Sequence, residues 1–224
     1  MMDFNELSHV TNLTHLALWD AKIVDFPSLP PLKQLRVLNL RHTKKLLRPD
    51  DYDTFLPLHE SSMLEVASRA PFLEELSIEY VWITSFESVR TLSRLRVLNA
   101  ESARITSLRG LEKLEALRTL DIASIPMTSL ESAPDALPIE TLKVGSLTSF
   151  TGIEHFSALK ELAGYNLQVS SIEPLYRLIR LETLKTGSSG LTSLHGIETL
   201  VNLQSCVISM APLTSLNGVL VQIA

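Results

Sequence analysis

The sequence is short of cysteine and lacks any long apolar run. It has a single cysteine, Cys206, among 224 residues, so no internal disulfide can form and the composition predicts a reducing compartment. No apolar run approaches the roughly 20 residues of a membrane-spanning helix. The start, MMDFNELSHV, has no basic segment followed by an apolar one, which predicts no secretory signal. These absences together predict a cytoplasmic protein without a membrane span.

Positive charge and aromatic side chains are also scarce. The formal net charge is −5, and no run of Lys or Arg is longer than Lys44-Lys45. A chain without a basic face lacks the electrostatic footprint of a nucleic-acid-binding protein. Aromatic residues make up only 6% of the chain and leucine dominates, which predicts a thin, regular core.

The residue combinations that carry out catalysis are missing as well. The six histidines are not at metal-ligand spacing from one another, and no glycine-rich phosphate loop is present. Cys206 falls in a core leucine position, so a buried, inert thiol is predicted. Asp50, Asp51 and Asp53 lack the glycine and distal glutamate of a calcium loop, which favours a solvated acidic loop. The sequence therefore predicts no enzyme, no catalytic residue, no metal site and no cofactor.

What the chain has in abundance is a repeated phrase, Leu-x-x-Leu-x-Leu. Most copies are 22 residues apart, as from Leu13 to Leu35. The first positions of the nine copies are Leu13, Leu35, Leu73, Leu95, Leu117, Ile139, Leu159, Leu181 and Leu203. A repeat at a fixed period predicts a stack of similar units, because one unit cannot bury its apolar side alone.

These nine copies resemble the leucine-rich repeat family over nearly the whole chain. The 22-residue spacing is similar to the class found in bacterial internalins and in a regulatory subunit of protein phosphatase type 1. The resemblance implies an α/β leucine-rich repeat solenoid, curved and right-handed. It implies a parallel β-sheet on the concave face and short 3₁₀ or helical turns on the convex face. We expect one solenoid domain over residues 1–224.

The segments between the strands also repeat. Gly110-Leu111-Glu112 returns as Gly152-Ile153-Glu154 and Gly196-Ile197-Glu198, and apolar residues at spacings of three favour a 3₁₀ or helical turn. The family's usual Asn, eight residues after the first Leu, is absent from every copy. Two interpretations of the Thr/Ser column that begins at Thr84 and Thr106 stay open. Its hydroxyls bond across repeats in place of that Asn, or they merely suit a bend.

Three places depart from the repeat. An insertion of about sixteen residues falls within 44–71, where Ser62 and Glu65 fit a helix capping box. Met63, Leu64, Val66 and Ala67 are expected on the apolar side of a short helix that ends before Pro71. The repeat from Ile139 is two residues short, and its strand-to-turn bend is expected to be tighter. Residues 1–12 are expected to form an N-terminal cap, whereas the C-terminal end appears uncapped and open to association with another chain.

The face of the strands opposite the core is the predicted binding surface. Alternation along each strand places the intervening residues there, and exposed Trp, Tyr and Arg are typical interface anchors. The predicted partner-binding residues are Trp19, Arg41, His42, Glu79, Tyr80, Glu101, Asp121, Lys143, Tyr165 and Lys185. In the insertion, the candidates are Asp50, Asp51, Tyr52 and Asp53. Trp19 has an alternative role in covering the end of the core.

The sequence thus predicts a non-catalytic scaffold or regulatory subunit that binds a protein partner through the concave face. The acidic residues of that face favour a partner with a basic surface. One alternative is a bacterial effector in host interaction, which would be secreted by a specialised route. Others are the substrate-recognition module of a larger enzyme, such as a ubiquitin ligase, and a structural member of a larger assembly.

Overall fold

The computed structural model describes residues 9–10, 12–23, 30–48 and 51–215. The chain divides into two compact units, Met1–Leu117 and Arg118–Ala224. Each unit is built from consecutive repeats. The single domain over 1–224 therefore stays a prediction. The predicted N-terminal cap lies mostly outside the described residues, as do Gly218 and the rest of the C-terminal end from 216 onward.

Within its described residues, the first unit forms four repeat strands, three further strands beside them and one helix. In chain order its elements are β1 (His15–Ala17), β2 (Lys22–Ile23), β3 (Val37–Asn39), β4 (Lys44–Arg48), β5 (Asp51–Pro57), α1 (Glu60–Arg69), β6 (Glu75–Ser77) and β7 (Val97–Asn99). Strands β1, β3, β6 and β7 pair in parallel in that order. The register aligns Leu16, Leu38, Leu76 and Leu98 in one row. Side chains in that row point into the core because successive strand residues alternate faces.

The second unit continues the pattern with five strands. These are β8 (Thr119–Ile122), β9 (Thr141–Gly145), β10 (Glu161–Tyr165), β11 (Thr183–Gly187) and β12 (Ser205–Ser209). They pair in parallel in chain order. Leu120, Leu142, Leu162 and Leu184 form the matching buried row. The predicted succession of parallel strands is confirmed in both units.

Short 3₁₀ turns form the return legs, as predicted from the spacing. They span Glu87–Val89, Leu111–Lys113, Ile153–His155, Glu173–Arg177 and Ile197–Thr199. Three of them begin after a glycine with positive φ, such as Gly152 at 91°. The glutamate two residues later accepts that glycine's N–H, for example Glu154 at 3.1 Å. The Gly-x-Glu sequence thus caps the start of the three return turns that follow Gly110, Gly152 and Gly196.

The Thr column links one repeat to the next. Within the first unit the Thr106 hydroxyl donates to the Thr84 carbonyl at 3.4 Å. In the second unit the Thr192 and Thr214 hydroxyls donate to the preceding repeat at 3.3 and 3.1 Å. Thr148 keeps the same bond to the Thr128 carbonyl although its repeat is short. The interpretation that these hydroxyls bond across repeats is confirmed.

A column of left-handed residues follows every strand, which the sequence analysis did not anticipate. All nine positions seven residues after the first Leu have φ between 49° and 63°. They are Asp20, His42, Tyr80, Ser102, Ser124, Ser146, Asn166, Ser188 and Met210. None is glycine, although a positive φ costs an L-residue roughly 1–2 kcal/mol. Each repeat therefore carries backbone strain at the same point, directly beside the sheet.

We expect Ser124→Gly to raise the free energy of unfolding by about 0.5 kcal/mol, because glycine relieves the strain of the positive φ. Ser124 is exposed and its φ is 57°. The matched control is Ser157→Gly, since Ser157 is also exposed but is not among the positive-φ residues. There the same change should lower stability by about 0.5 kcal/mol. Urea denaturation of both variants checks the opposite signs, and equal signs would contradict the strain argument.

The insertion contains a hairpin as well as the predicted helix. Strands β4 and β5 pair antiparallel, and β2 pairs in parallel with β4. Helix α1 buries Met63, Val66 and Ala67 and ends before Pro71, as predicted. Leu64, however, is exposed. Extended residues of the insertion were not recognised as strands because they lack a regular apolar alternation.

The predicted capping box of α1 is wrong. The helix already begins at Glu60 with His59 as its N-cap, so Ser62 lies buried inside the first turn. Glu60 instead bonds to the following repeat. Its carboxylate accepts the N–H and the hydroxyl of Thr84, each at 2.9 Å. Burial raises the pKa of Glu60, but the bonds from the backbone and from the Thr84 hydroxyl outweigh it, so the pKa lies below its ordinary value.

A lowered pKa makes the contribution of Glu60 to stability pH-dependent. The contribution is complete above the unfolded pKa near 4.5 and is lost as pH falls through the lower folded pKa. We expect Glu60→Gln to lower the free energy of unfolding by about 1 kcal/mol at neutral pH. The gap from wild type should close at more acidic pH. Urea midpoints measured from neutral pH down to the onset of acid unfolding check this, and a gap that stays constant over the whole range would rule out the carboxylate as the stabilising form.

Candidate functional site

The first unit presents two columns of side chains at the carboxyl ends of its strands. Trp19, Arg41, Glu79 and Glu101 occupy the same position in successive repeats, and Asp20, His42, Tyr80 and Ser102 follow them. The ladder of backbone bonds continues past the strands here. The N–H groups of Asp20, His42 and Tyr80 donate to the carbonyls of Arg41, Glu79 and Glu101. Both columns are therefore held at fixed spacing across the unit.

Glu79 is the hub of a hydrogen-bonded network on this face. The carboxylate is only 6% exposed and pairs with Arg41 Nε at 2.9 Å. Asn99 Nδ2 and the Ser77 hydroxyl also donate to it, at 3.0 and 3.3 Å. Asn99 in turn accepts the Glu101 N–H at 3.0 Å through its amide oxygen. The charge of Glu79 is thus satisfied within the unit and is not presented to solvent as the acidic band expected from the sequence.

Aromatic rings dominate the exposed part of the same face. Trp19 is 67% exposed and Tyr80 is 41% exposed. The rings of His42 and Tyr80 stack with centroids 3.8 Å apart and an angle of 23° between them. Arg41 lies in the same columns with about half of its side chain in solvent. We call Trp19, Arg41, His42 and Tyr80 the aromatic surface of the first unit.

The second unit has a different outer face. Asp121 is buried, accepting from Lys143 Nζ at 3.0 Å and from the Ala123 N–H at 3.1 Å. Lys185 Nζ pairs with Glu161 at 2.7 Å. Asp121, like Glu79, is thus engaged by a neighbouring cation. Its carboxylate is therefore not free to steer a basic partner.

Tyr165 is the exposed aromatic residue among the candidates of the second unit. It is 49% exposed and lies in register between Gly145 and Gly187 on the neighbouring strands. A Cβ at Gly145 would meet the Ser124 nitrogen at 2.8 Å, so packing requires that glycine. A Cβ at Gly187 would make only ordinary contacts, at 3.6 Å or more. The fold therefore does not require a glycine at position 187, beside the Tyr165 ring.

Several exposed apolar side chains lie outside the set of predicted site residues. Val207 and Met210 lie on the outer face of the second unit, and Tyr176, Ile179 and Val201 lie on its return side. Clefts of about 360 and 450 Å³ flank Tyr176. Most of these positions hold polar residues in other copies, although Ile179 and Val201 share one position with Leu137. A column-by-column comparison of the repeats would have shown them.

No metal-binding cluster appears among the described residues. No group of three or more His, Cys, Asp or Glu side chains there is placed to hold a metal ion. The predicted burial of Cys206 is wrong. Although Cys206 aligns with buried Leu184, it is exposed because it lies on the outermost described strand of its sheet. Partial desolvation raises the pKa of its thiol, which makes it a poor nucleophile at neutral pH.

The acidic candidates of the insertion contribute little to a described site. Asp50 lies outside the described residues. Asp51, Tyr52 and Asp53 are in β5, where the structure describes the backbone and not the side chains. Their role in binding stays a prediction. In the part of the chain that is described, no helix is long and apolar enough to cross a membrane.

Comparisons with known proteins support the fold through structure alone. No family model matches the chain, and no curated protein matches its sequence. Among solved structures, an internalin from Listeria monocytogenes, InlF, superposes with a TM-score of 0.69 at 19% identity. A leucine-rich repeat protein of Leptospira interrogans gives 0.68 at 20% identity. The leucine-rich repeat domain of APL1B gives 0.61 at 16% identity.

The chain has the leucine-rich repeat fold. The three matches cover 95%, 95% and 94% of this chain. The chain in turn spans 59%, 53% and 61% of those proteins. At these identities the likeness establishes the fold and leaves the functional residues to be argued from the chain itself.

Within this leucine-rich repeat fold, the predicted site residues separate into three groups. Exposed candidates are Trp19, Arg41, Tyr80 and Tyr165, with His42 half-buried against Tyr80. Side chains engaged in ion pairs on the sheet are Glu79, Asp121, Lys143 and Lys185. Glu101 is half-buried at the end of its column. The exposed rings are therefore better placed than the carboxylates to contact a partner.

Proposed function

We propose that this chain is a protein-interaction module whose aromatic surface in the first unit binds a protein partner. The observation that supports it most is the exposure of Trp19 and Tyr80 on a rigid backbone. Interfaces obtain most of their binding energy from a few Trp, Tyr and Arg side chains. Here the Tyr80 ring is held by its stack with His42, and the backbone ladder fixes the spacing of the columns, which reduces the conformational entropy that is lost on association.

The chemistry of the surface favours a partner with an apolar centre. Arg41 is neutralised by Glu79, so the middle of the surface offers rings rather than net charge. Asp20 and the half-buried Glu101 supply acidic groups around it. A basic rim on the partner, as expected from the sequence, is supported only by these two residues. The proposed arrangement is an apolar anchor on the rings with basic groups at the margin.

A scaffold or regulatory subunit is the form of this function that we propose. The setting that we propose is a reducing compartment, because a chain with a single cysteine, Cys206, has no internal disulfide to form. An effector in host interaction or a recognition module of a larger enzyme would use the same surface. These roles differ in the partner that is bound.

The test compares a pair of aromatic residues with a single control residue in a tagged protein. Trp19→Ala with Tyr80→Ala removes the aromatic surface, whereas Tyr176→Ala removes an equally exposed ring on the return side. We expect wild type and Tyr176→Ala to retain the same partner from lysate of the native cell. The double variant should bind the purified partner about 30-fold more weakly.

Circular dichroism and thermal melting show that each variant is folded. Retention of the same partner by the double variant at unchanged affinity would contradict the proposal. Loss of the partner with Tyr176→Ala alone would move the binding surface to the return side of the second unit.

A further inference from the structure

A charged surface lies at the amino-terminal ends of the strands in the first unit, whereas the aromatic surface lies at their carboxyl ends. Each repeat places one residue before and one after its first leucine, and Leu35, Leu73 and Leu95 are fully buried. Their flanking side chains must point outward at the amino-terminal edge of the sheet. We call Arg36, Phe72, Arg94 and Arg96, four of these flanking residues, the arginine edge.

An exposed aromatic ring forms the centre of the arginine edge. Phe72 is 37% exposed, and the Cζ atoms of Arg94 and Arg36 lie 4.7 and 5.8 Å from its ring centroid. Guanidinium groups over a ring gain cation–π attraction while their N–H donors remain available for hydrogen bonds. Phe72 therefore positions two cations without neutralising either one.

The two arginines on Phe72 differ in what else they bind. Arg36 donates to the carbonyls of Lys33 and Leu35, both at 3.2 Å, and pairs with Glu74 at 3.5 Å. Arg94 and Arg96 are exposed. Neither forms an ion pair with any of the residues that the structure describes. Arg36 thus serves as a fixed support, and the donors of Arg94 and Arg96 are free.

The same edge of the second unit carries charges of both signs, several of them in ion pairs. There Glu140 accepts from Lys160 at 2.8 Å and pairs with Arg118 at 3.8 Å. The Lys160 bond holds the pKa of Glu140 below its ordinary value.

Arg180 is exposed at this edge as well and has no ion pair among the described residues. The first unit differs in holding two such arginines, Arg94 and Arg96, with Arg94 over the exposed ring of Phe72. They stand out further in a chain of net charge −5.

We propose that the arginine edge binds a short acidic segment of a protein. Carboxylates of the segment would accept bidentate hydrogen bonds from Arg94 and Arg96, the geometry that guanidinium favours. An apolar side chain between those carboxylates would lie on the exposed part of Phe72. The surface lies at the strand ends opposite to the aromatic surface, so the two sites are independent.

Charge complementarity favours an acidic peptide over a long polyanion. The free cations occupy a short stretch, and the Glu74 carboxylate lies within the edge, paired to Arg36. Glu75 is exposed directly after it. A nucleic-acid strand running along the edge would meet these carboxylates and a chain of net negative charge. A short peptide can place its few carboxylates on Arg94 and Arg96 alone.

The probe is a fluorescent peptide of six glutamates around one central leucine. The control peptide has glutamine in place of each glutamate. Binding is followed by fluorescence anisotropy with wild type, the single variants Arg94→Gln and Arg96→Gln, the double variant Arg94→Gln/Arg96→Gln, and Arg90→Gln. Arg90 is an arginine of the same unit that already pairs with Glu87 at 3.1 Å, so its variant matches the charge change of each single substitution.

We expect wild type and Arg90→Gln to bind the glutamate peptide equally. The double variant should bind about tenfold more weakly, and the affinity of wild type should fall several-fold between about 50 and 200 mM salt. Melting temperatures show that the variants are folded. The Trp19→Ala/Tyr80→Ala variant should bind the peptide like wild type, which separates this site from the aromatic surface.

Four outcomes would overturn the proposal. They are equal binding of the glutamine peptide, unchanged affinity in the double variant, no binding of the glutamate peptide up to millimolar protein, and binding of a single-stranded RNA in preference to the peptide. The last would identify a nucleic-acid site instead. Each is independent of whether the aromatic surface binds its partner.

Discussion

Gly152→Ala should lower the free energy of unfolding by about 3 kcal/mol or more. Gly152 has a φ of 91°, and a Cβ there would lie 2.1 Å from the carbonyl oxygen of Leu130. The obstacle is backbone of the preceding repeat, which cannot rotate away as a side chain can. Relief would require the two repeats to separate where the return turn begins. Equilibrium urea denaturation followed by circular dichroism measures the loss.

Gly187→Ala is the matched control in the same unit. The added Cβ there makes ordinary contacts, and φ is not in the left-handed region. Its effect should stay within about 0.5 kcal/mol. A similar loss in both variants would mean that glycine is needed in this unit for a reason other than close backbone approach.

Arg41→Ala should lower the free energy of unfolding by about 2 kcal/mol, the second-largest effect that we predict. It removes the cation from Glu79, which is 6% exposed, and leaves a buried carboxylate with only the Asn99 and Ser77 donors. Removing one partner of a fully buried pair costs about 3–5 kcal/mol. The value is smaller here because half of the Arg41 side chain is in solvent, where water screens the charge.

A double-mutant cycle isolates this pair. In a Glu79→Gln background the carboxylate charge is gone, so Arg41→Ala should then cost no more than about 0.5 kcal/mol. Arg90→Ala, which breaks an exposed pair with Glu87, should cost a similarly small amount. An equal cost of Arg41→Ala in both backgrounds would show that Arg41 stabilises through packing and not through Glu79.

The periodic part of the molecule was predictable from leucine spacing. Aliphatic side chains that recur at a fixed interval are buried between stacked repeats. The buried rows through Leu38 and Leu142 and the turn at Ile153 therefore follow from the pattern. The Thr192 bond across repeats was open because a hydroxyl suits either a bend or a ladder. Only coordinates distinguish a donor that reaches the next carbonyl from one that faces water.

The candidate site was harder to predict because its residues interact across repeats. Alternation places Glu79 on the outer face correctly, but burial depends on the side chains of neighbouring strands. Arg41 and Asn99 enclose it, and Lys143 does the same to Asp121. Cys206 shows the reverse case, where a core position is exposed for lack of a neighbour on one side among the described strands.

The column of left-handed residues bears on how the outer face of the repeats could evolve. Its nine residues differ widely, from Ser124 to Tyr80 and Met210, while their backbone angles stay alike. The strain is therefore a fixed cost of the architecture and does not depend on which ring or hydroxyl is displayed. Specificity can be rewritten at these positions one repeat at a time without altering the interior. The side chains at these positions can be exchanged between repeats. Transferring residues from one repeat to another is therefore a direct route to new binding properties.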